Sequence, residues 1–127
     1  ILRLENNVVF EPHTNDLASF YKTADLFINT SNYEGYGRTL IEAASTGLPI
    51  ITTEVGLVGE AINSSNSIVI PVNSKQALAG AIERMITKAD RETLGRASLE
   101  AIDQFPKKDK VLALHKQLWN NLQKKHS

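Results

Sequence analysis

The chain has 127 residues, and its 14 Lys and Arg balance 14 Asp and Glu, so the formal net charge at pH 7 is zero. This balance gives no electrostatic reason to expect nucleic acid or an anionic membrane as the main partner. The absence of cysteine excludes disulfides and thiolate metal sites, and no apolar run approaches the ~18 residues needed to span a bilayer.

Short apolar runs alternate with helical patterns through the first half of the chain. The β-branched run "NVVFE" predicts a strand over 7–11, and the polar residues 14–16 offer N-caps for a helix over 17–24. A second strand is predicted over 25–29, and a helix over 37–46 follows it, closed by a glycine.

The pattern continues with a third strand over 49–53, a short helix around 58–62 and a fourth strand over 67–71. Beyond Ser74, a candidate N-cap, the chain is predicted to be helical. Three amphipathic helices are predicted there, over about 75–86, 90–105 and 109–122.

Strands that alternate with helices indicate βα units and a parallel sheet. Both faces of such a sheet are covered, which explains why the runs "LFI", "PII" and "IVI" are continuously apolar. We therefore predict an α/β fold with a parallel sheet of about four strands flanked by helices.

The stretch "NTSNYEGYGR" lies where a predicted strand ends and a helix begins, which is where ligands gather in open α/β sheets. Gly35 and Gly37 let a ligand approach the main chain, and the free N–H groups of the following helix favour phosphate. Glu34 stands beside this helix start, and Glu42 lies about one and a half turns into the helix. Because carboxylates accept hydrogen bonds from pairs of hydroxyls, the pattern suits a sugar nucleotide.

The same pattern has a plainer interpretation. A Gly-x-Gly turn before a helix is also typical of a tight βα connection with no ligand. Glu42 would then be a solvent-facing residue paired with Arg38 one turn earlier, and such a pair contributes only about 0.2–0.5 kcal/mol. This interpretation does not explain the glycines.

Two motifs carry a resemblance to a known family. "EGYGRTLIEA" at 34–43 places two glutamates eight positions apart, and "GLPII" follows at 47–51. Together they resemble the signature of retaining glycosyltransferases of family four, which have the GT-B fold. The resemblance extends over about 7–105, since the flanking strands and helices also follow that family's order.

The resemblance implies roles for the residues of the motif. Glu42 would hold the ribose hydroxyls, and Glu34 would meet the hydroxyls of the donor sugar with backbone N–H groups at Tyr36 and Gly37. The base would lie near Pro12, in the loop at 11–13. The start of the helix would take the diphosphate through Arg38, Thr39 and Leu40.

The resemblance also implies which parts of such an enzyme the chain contains. The family's nucleotide-binding domain has six strands in the order 3-2-1-4-5-6, and the four predicted strands correspond to the last four in sequence. Residues 1–127 would then be a fragment of the C-terminal donor-binding domain, without its first two βα units, their Arg/Lys pair or the acceptor domain. We therefore expect this chain alone not to catalyse transfer.

The expected donor is a nucleoside diphosphate sugar of the UDP or GDP type, used by a hexosyltransferase without metal or other cofactor. The acceptor would be a sugar, lipid or protein bound through the N-terminal domain. We expect no nucleic-acid partner. A cytoplasmic location is expected, with peripheral membrane attachment as an alternative for the full-length enzyme.

Without the missing strands, the strand at 25–29 would present an unpaired apolar edge, which folded proteins avoid. Two arrangements would cover it. The strand at 8–11 could move over to pair with 25–29, or a second chain could cover the edge and form a homodimer.

The histidines and the tryptophan suggest no further site. His13, His115 and His126 do not share the spacing of metal ligands, so no metal site is predicted. Trp119 lies on the apolar side of the last predicted helix with leucines at 118 and 122, and it is predicted to belong to the core.

Two other classes of function compete. A glycosidase could use Glu34 and Glu42 as acid and base, but one loop and its own helix are poorly placed to face each other across a sugar ring. A non-catalytic Rossmann-like nucleotide-binding or assembly module is the alternative that stays open. A dinucleotide site is disfavoured because "GYGRTL" lacks the third glycine of that fingerprint.

Overall fold

Three short parallel strands form the centre of the fold, and helices pack on both faces of the sheet. The computed structural model describes residues 3–125, so His126 lies outside the described residues. In chain order the elements are α1 (Leu17–Thr23), β1 (Phe27–Asn29), α2 (Arg38–Ser45), β2 (Ile50–Thr53), β3 (Ile68–Ile70), α3 (Lys75–Arg84), α4 (Lys88–Asp103) and α5 (Lys108–Lys125). The predicted α/β class is confirmed.

The strand order is β1-β2-β3, and both pairings are parallel. Ile28 pairs with Ile51, and Ile51 pairs in turn with Ile68. All four residues of β2 are buried because this strand has a neighbour on each side and helices over both faces. The carboxyl ends of the three strands consequently meet at one edge of the sheet.

Alternate residues of β2 enter two different cores. Ile50 belongs to a cluster with residues of α2 and the segments beside it: Leu40, Ala43, Ala44, Leu48 and Ile62. Ile51 points to the opposite face, where it packs with Ile70, Ala81, Met85 and Leu94. This alternation follows from the period of two along a strand, and it ties α2 and α3 to the same central strand.

Helix α4 lies very close to the turn that follows α2. Gly95 is buried in α4, and a Cβ built on it would overlap the carbonyl oxygen of Gly47. One helical turn further on, the fully buried Ser98 donates through Oγ to the carbonyl of Asn66 at 2.6 Å. The absence of a side chain at position 95 therefore sets how closely α4 approaches the rest of the domain.

The predicted strand at 7–11 is wrong. These residues form a turn and irregular backbone, and Val9 and Phe10 are 79% and 93% exposed. A strand needs a neighbour to satisfy its backbone groups, and in the described part of the chain none lies beside this segment. The expected pairing of 8–11 with 25–29 is therefore also wrong, and β1 has one neighbour, β2, in the described sheet. Coverage of that edge by a second chain stays a prediction.

Two smaller predictions also need correction. The segment predicted as a short helix at 58–62 is a turn, in which the N–H of Gly59 donates to the carbonyl of Ile62 at 2.7 Å. Gly59 has φ +99°, which is incompatible with a right-handed helix. Phe105 lies beyond the end of α4, which instead begins two residues earlier than Asp90 and ends at Asp103.

The predicted burial of the last helix is wrong as well. Every residue of α5 up to Lys124 is exposed, and Trp119 is 65% exposed. The apolar stripe was correctly located on one side of this helix, but no described element covers it. None of the helices in the described residues is long and apolar enough to cross a membrane.

Because α4 lies so close to Gly47, alanine substitutions at two glycines should change the free energy of unfolding in opposite directions. Gly95→Ala should lower the free energy of unfolding by about 1–3 kcal/mol, because the new methyl group must push Gly47 away. Gly80→Ala is the matched control in α3: its Cβ meets no atom within 4 Å, so we expect a gain of about 0.5–1 kcal/mol. Urea denaturation followed by circular dichroism measures both, and equal effects at the two positions would contradict the packing described above.

Candidate functional site

The amino end of α2 opens at the carboxyl end of the sheet and has no side-chain cap. Gly37 is the N-cap residue, with left-handed φ +78° and ψ +49°, and no described side chain accepts a hydrogen bond from this turn. The N–H of Leu40 donates to the carbonyl of Gly37 at 3.0 Å, which leaves the first N–H groups of the helix facing outward. Such an end combines backbone donors with the positive pole of the helix dipole and attracts anions.

The loop after β2 holds this turn in place. Gly56 has φ +58°, and a Cβ on it would lie 2.6 Å from the carbonyl oxygen of Tyr36. The next residue, Leu57, donates its N–H to the same carbonyl at 3.1 Å. Two neighbouring strand-end loops therefore support each other, and the backbone just before α2 has little freedom to move.

Glu34 is held by donors at the end of β1. Its Oε1 accepts from Nδ2 of Asn29 at 3.0 Å and from Oγ of Ser31 at 2.9 Å. Asn29 is buried, and its Oδ1 accepts the N–H of Ser31, while Oγ1 of Thr53 donates to the carbonyl of Ser31. Both donors act on the same oxygen, and Oε2 lies toward the helix start, 3.6 Å from the position of a Cβ on Gly37.

Glu42 is held differently, with one contact on each oxygen. Oε2 accepts from the hydroxyl of Tyr21 at 3.1 Å, and Oε1 lies 3.6 Å from the guanidinium of Arg38. Burial, and then the hydrogen bond to Glu42, raise the pKa of Tyr21 above its ordinary value, so its hydroxyl stays a proton donor at neutral pH. The Arg38 side chain is 84% exposed, which makes its ion pair weak.

A cavity of about 460 Å³ adjoins these residues on the α1 side. Pro12 lines it near one end, together with Tyr21 of α1 and Thr39 of α2. Its floor is apolar and includes Phe27 and Leu48. The segment predicted to seat the base, the partner of Glu42 and the first turn of α2 therefore share one cavity.

The structure places Glu34 and the start of α2 at the carboxyl edge of the sheet, Glu42 further along α2 and Pro12 beside α1. Two of the predicted donors need qualification. The side chain of Arg38 is turned to solvent and pairs with Glu42, as the plainer interpretation of the motif supposed. The N–H of Leu40 is already engaged within the helix.

Sequence reasoning missed the three residues that hold the carboxylates: Tyr21, Asn29 and Ser31. Asn29 ends an apolar run, and a polar residue at that position was a usable signal of a strand-end function. For Tyr21, the only signal in the sequence was an apolar position on a predicted helix, which does not indicate a contact with Glu42.

The support of Glu34 can be tested through stability. Asn29→Ala removes a donor to a part-buried carboxylate and the acceptor for the N–H of Ser31, so the free energy of unfolding should fall by about 1–3 kcal/mol. Ser45→Ala is the control, because Ser45 donates only to the carbonyl of Ile41 within α2 and is exposed; we expect a change below about 0.5 kcal/mol. If urea denaturation gave the same loss for both variants, the network around Glu34 would contribute nothing.

Comparison with known protein families identifies a match over most of the chain. The family described as "Glycosyl transferases group 1" matches residues 1–104. The chain is 31% identical over 99 residues to the capsular polysaccharide biosynthesis glycosyltransferase CapM of Staphylococcus aureus, covering 76% of this chain and 26% of that protein. It is 26% identical over 107 residues to the lipopolysaccharide core biosynthesis mannosyltransferase LpsB of Rhizobium meliloti, covering 82% and 30%.

Solved structures agree with this result. A sucrose-phosphate synthase from Thermosynechococcus elongatus superposes with a TM-score of 0.74 at 29% identity, over 84% of this chain and 27% of that one. Anabaena HepE, solved with UDP and glucose, gives a TM-score of 0.77 at 24% identity over 95% and 33%. The chain spans about a quarter to a third of the length of these four proteins. With a family match over 104 of its residues and neighbours that are GT-B glycosyltransferases, the chain belongs to the glycosyl transferases of group 1.

Proposed function

We propose that this chain binds the nucleoside diphosphate sugar of a group 1 glycosyltransferase that transfers the sugar with retention of configuration. The observation that carries the proposal is the uncapped amino end of α2, which lies between two carboxylates that are both supported by neighbouring side chains. The site therefore combines backbone donors for an anion with two carboxylates that can accept from hydroxyls. A sugar nucleotide matches this arrangement, since its anionic diphosphate lies between two groups rich in hydroxyls.

The diphosphate is assigned to the start of α2. The N–H groups of Gly37, Arg38 and Thr39 precede the first internal hydrogen bond of the helix, that of Leu40, and they add to the positive pole of the dipole. Gly37 is buried, whereas Arg38 is exposed and Thr39 is half-buried, so phosphate oxygens can reach the helix start from the side of these two residues. Arg38 can turn from Glu42 toward the diphosphate, since its side chain is exposed.

Glu42 is assigned to the ribose and Glu34 to the donor sugar. In Glu42, Oε1 faces only the exposed Arg38, and a surface ion pair of this kind contributes about 0.2–1 kcal/mol, which a pair of ribose hydroxyls can replace. In Glu34, both donors act on Oε1, so Oε2 is the oxygen offered to a sugar hydroxyl. The base is assigned to the cavity beside Pro12.

Transfer would then proceed through charge that develops on the departing diphosphate. The bond between the anomeric carbon and the diphosphate oxygen breaks as the acceptor hydroxyl attacks on the same face, and the proton of that hydroxyl passes to the departing diphosphate oxygen. Donors already aimed at the phosphate oxygens stabilise that charge without reorganising. Glu34 orients the sugar in this scheme, and we assign no covalent nucleophile.

The proposal divides the work between this chain and the rest of such an enzyme. Because the matched proteins are about three times as long as this chain, we assign donor binding to these residues and binding of a sugar, lipid or protein acceptor to the remainder. Donor binding without transfer is therefore the activity proposed for the 127 residues alone. Transfer of a hexose, the use of no metal and a cytoplasmic location stay predictions.

Nucleotide binding tests the proposal directly. HepE, which shares the fold, was solved with UDP-glucose, so UDP is the first ligand to titrate, with GDP and ADP beside it. In isothermal titration calorimetry we expect Glu42→Ala to weaken binding of the preferred diphosphate by about 10–100-fold, because hydrogen bonds to a charged group contribute about 1.5–3 kcal/mol.

The control is Glu92→Ala. Glu92 forms an ion pair with Lys88 at the same i, i+4 spacing on α4, 3.5 Å long, so it reports the effect of losing such a pair outside the site. We expect Glu92→Ala to bind the preferred nucleoside diphosphate as tightly as the unchanged protein does. Equal affinities for all three proteins, or binding of free glycans without any diphosphate, would contradict the assignment.

A further inference from the structure

A hydroxyl group of α1 reaches across to Glu42. We propose that Tyr21 is a positioning residue, whose hydrogen bond to Oε2 orients the Glu42 carboxylate so that Oε1 is presented to the ribose hydroxyls. The inference rests on the proposed function, because it concerns the same carboxylate and its ligand. It adds a residue that lies 21 positions before Glu42 and outside the glutamate motif.

Packing of the Tyr21 ring positions its hydroxyl. The ring of Tyr21 meets the ring of Phe27 edge to face, with centroids 5.8 Å apart and planes at 64°. Both rings pack against the core cluster that contains Leu40 and Ala43, the face of α2 opposite its solvent side. Helix α1 is capped by Asp16, whose carboxylate accepts the N–H of Ser19. The packing of the ring and the cap of α1 together position the hydroxyl that donates to Glu42.

The two carboxylate oxygens of Glu42 therefore have different contacts. Oε2 faces a partly buried neutral donor that is fixed by aromatic packing, while Oε1 faces an exposed, flexible cation. A ligand can replace Arg38 at Oε1 at little cost, whereas replacing Tyr21 would leave a part-buried hydroxyl without its acceptor. The geometry thus selects which oxygen a ligand engages.

A neutral donor also suits the task better than a cation would. A carboxylate must stay ionised and free to accept if it is to bind two hydroxyls, and a second fixed positive charge would compete with them for it. Tyr21 orients Glu42 without neutralising it. Glu42 is the titratable group that faces Tyr21 from α2; burial raises the pKa of Tyr21, and the hydrogen bond to Glu42 and its charge raise it further.

The experiment separates orientation of the carboxylate from folding. Tyr21→Phe keeps the ring and its contact with Phe27 and removes only the hydroxyl. By calorimetry on the protein, we expect UDP to bind about 3–10-fold more weakly to this variant, and inorganic pyrophosphate, which lacks ribose, to bind equally well to both. Tyr33→Phe removes a hydroxyl from a ring that is 86% exposed, and it should change neither affinity.

A double-mutant cycle with Glu42→Ala completes the test. If Tyr21 acts through Glu42, Tyr21→Phe should have no further effect on UDP binding once Glu42 is alanine. A merely structural role would weaken pyrophosphate and UDP alike, or persist in the Glu42→Ala background, and either result would overturn the inference. Unchanged UDP affinity in Tyr21→Phe beside a loss in Glu42→Ala would overturn the inference and leave the proposed function standing. Unchanged UDP affinity in Glu42→Ala would overturn both.

Discussion

The amino end of α2 is the constraint on which the rest of the site depends. A helix that begins without a side-chain cap leaves backbone donors in need of a partner, and here they lie at the carboxyl edge of a parallel sheet. The fold keeps this end open by placing a left-handed glycine where a capping side chain would stand. It keeps the end in position by packing Gly56 and Leu57 of the next loop directly on the carbonyl of Tyr36. In the proposed function, the diphosphate of the donor is the partner of these N–H groups.

Around that end, each acid is supported by an element other than its own. Asn29 and Ser31, at the end of β1, hold one oxygen of Glu34, and Tyr21 on α1 holds one oxygen of Glu42. All three donors are neutral, and each carboxylate has one oxygen that none of them engages. Support from other elements is possible because the parallel sheet brings the ends of successive strands and the starts of successive helices to one edge.

The sequence predicted the features that local chemistry determines. Continuous apolar runs located β1, β2 and β3, and the glutamates and glycines of 34–43 located the helix start, because each signal is carried by a few adjacent residues. The two largest errors share one cause: a pattern does not show whether a packing partner exists. Residues 8–11 have the composition of a strand without a neighbouring strand, and Trp119 belongs to an apolar stripe that no described element covers. Tyr21 was overlooked for a related reason, since its contact with Glu42 spans 21 positions and only the folded chain brings the two together.

The exposure of α5 affects how the domain loses structure. An isolated helix of 18 residues is close to the balance between helix and coil in water, because each turn it keeps must offset the backbone entropy of ordering it. With its residues up to Lys124 open to solvent, α5 draws little support from the two cores on β2. Fraying of this last segment is therefore energetically separate from the melting of the sheet, and amide hydrogens along it exchange with solvent while those beside β2 stay protected.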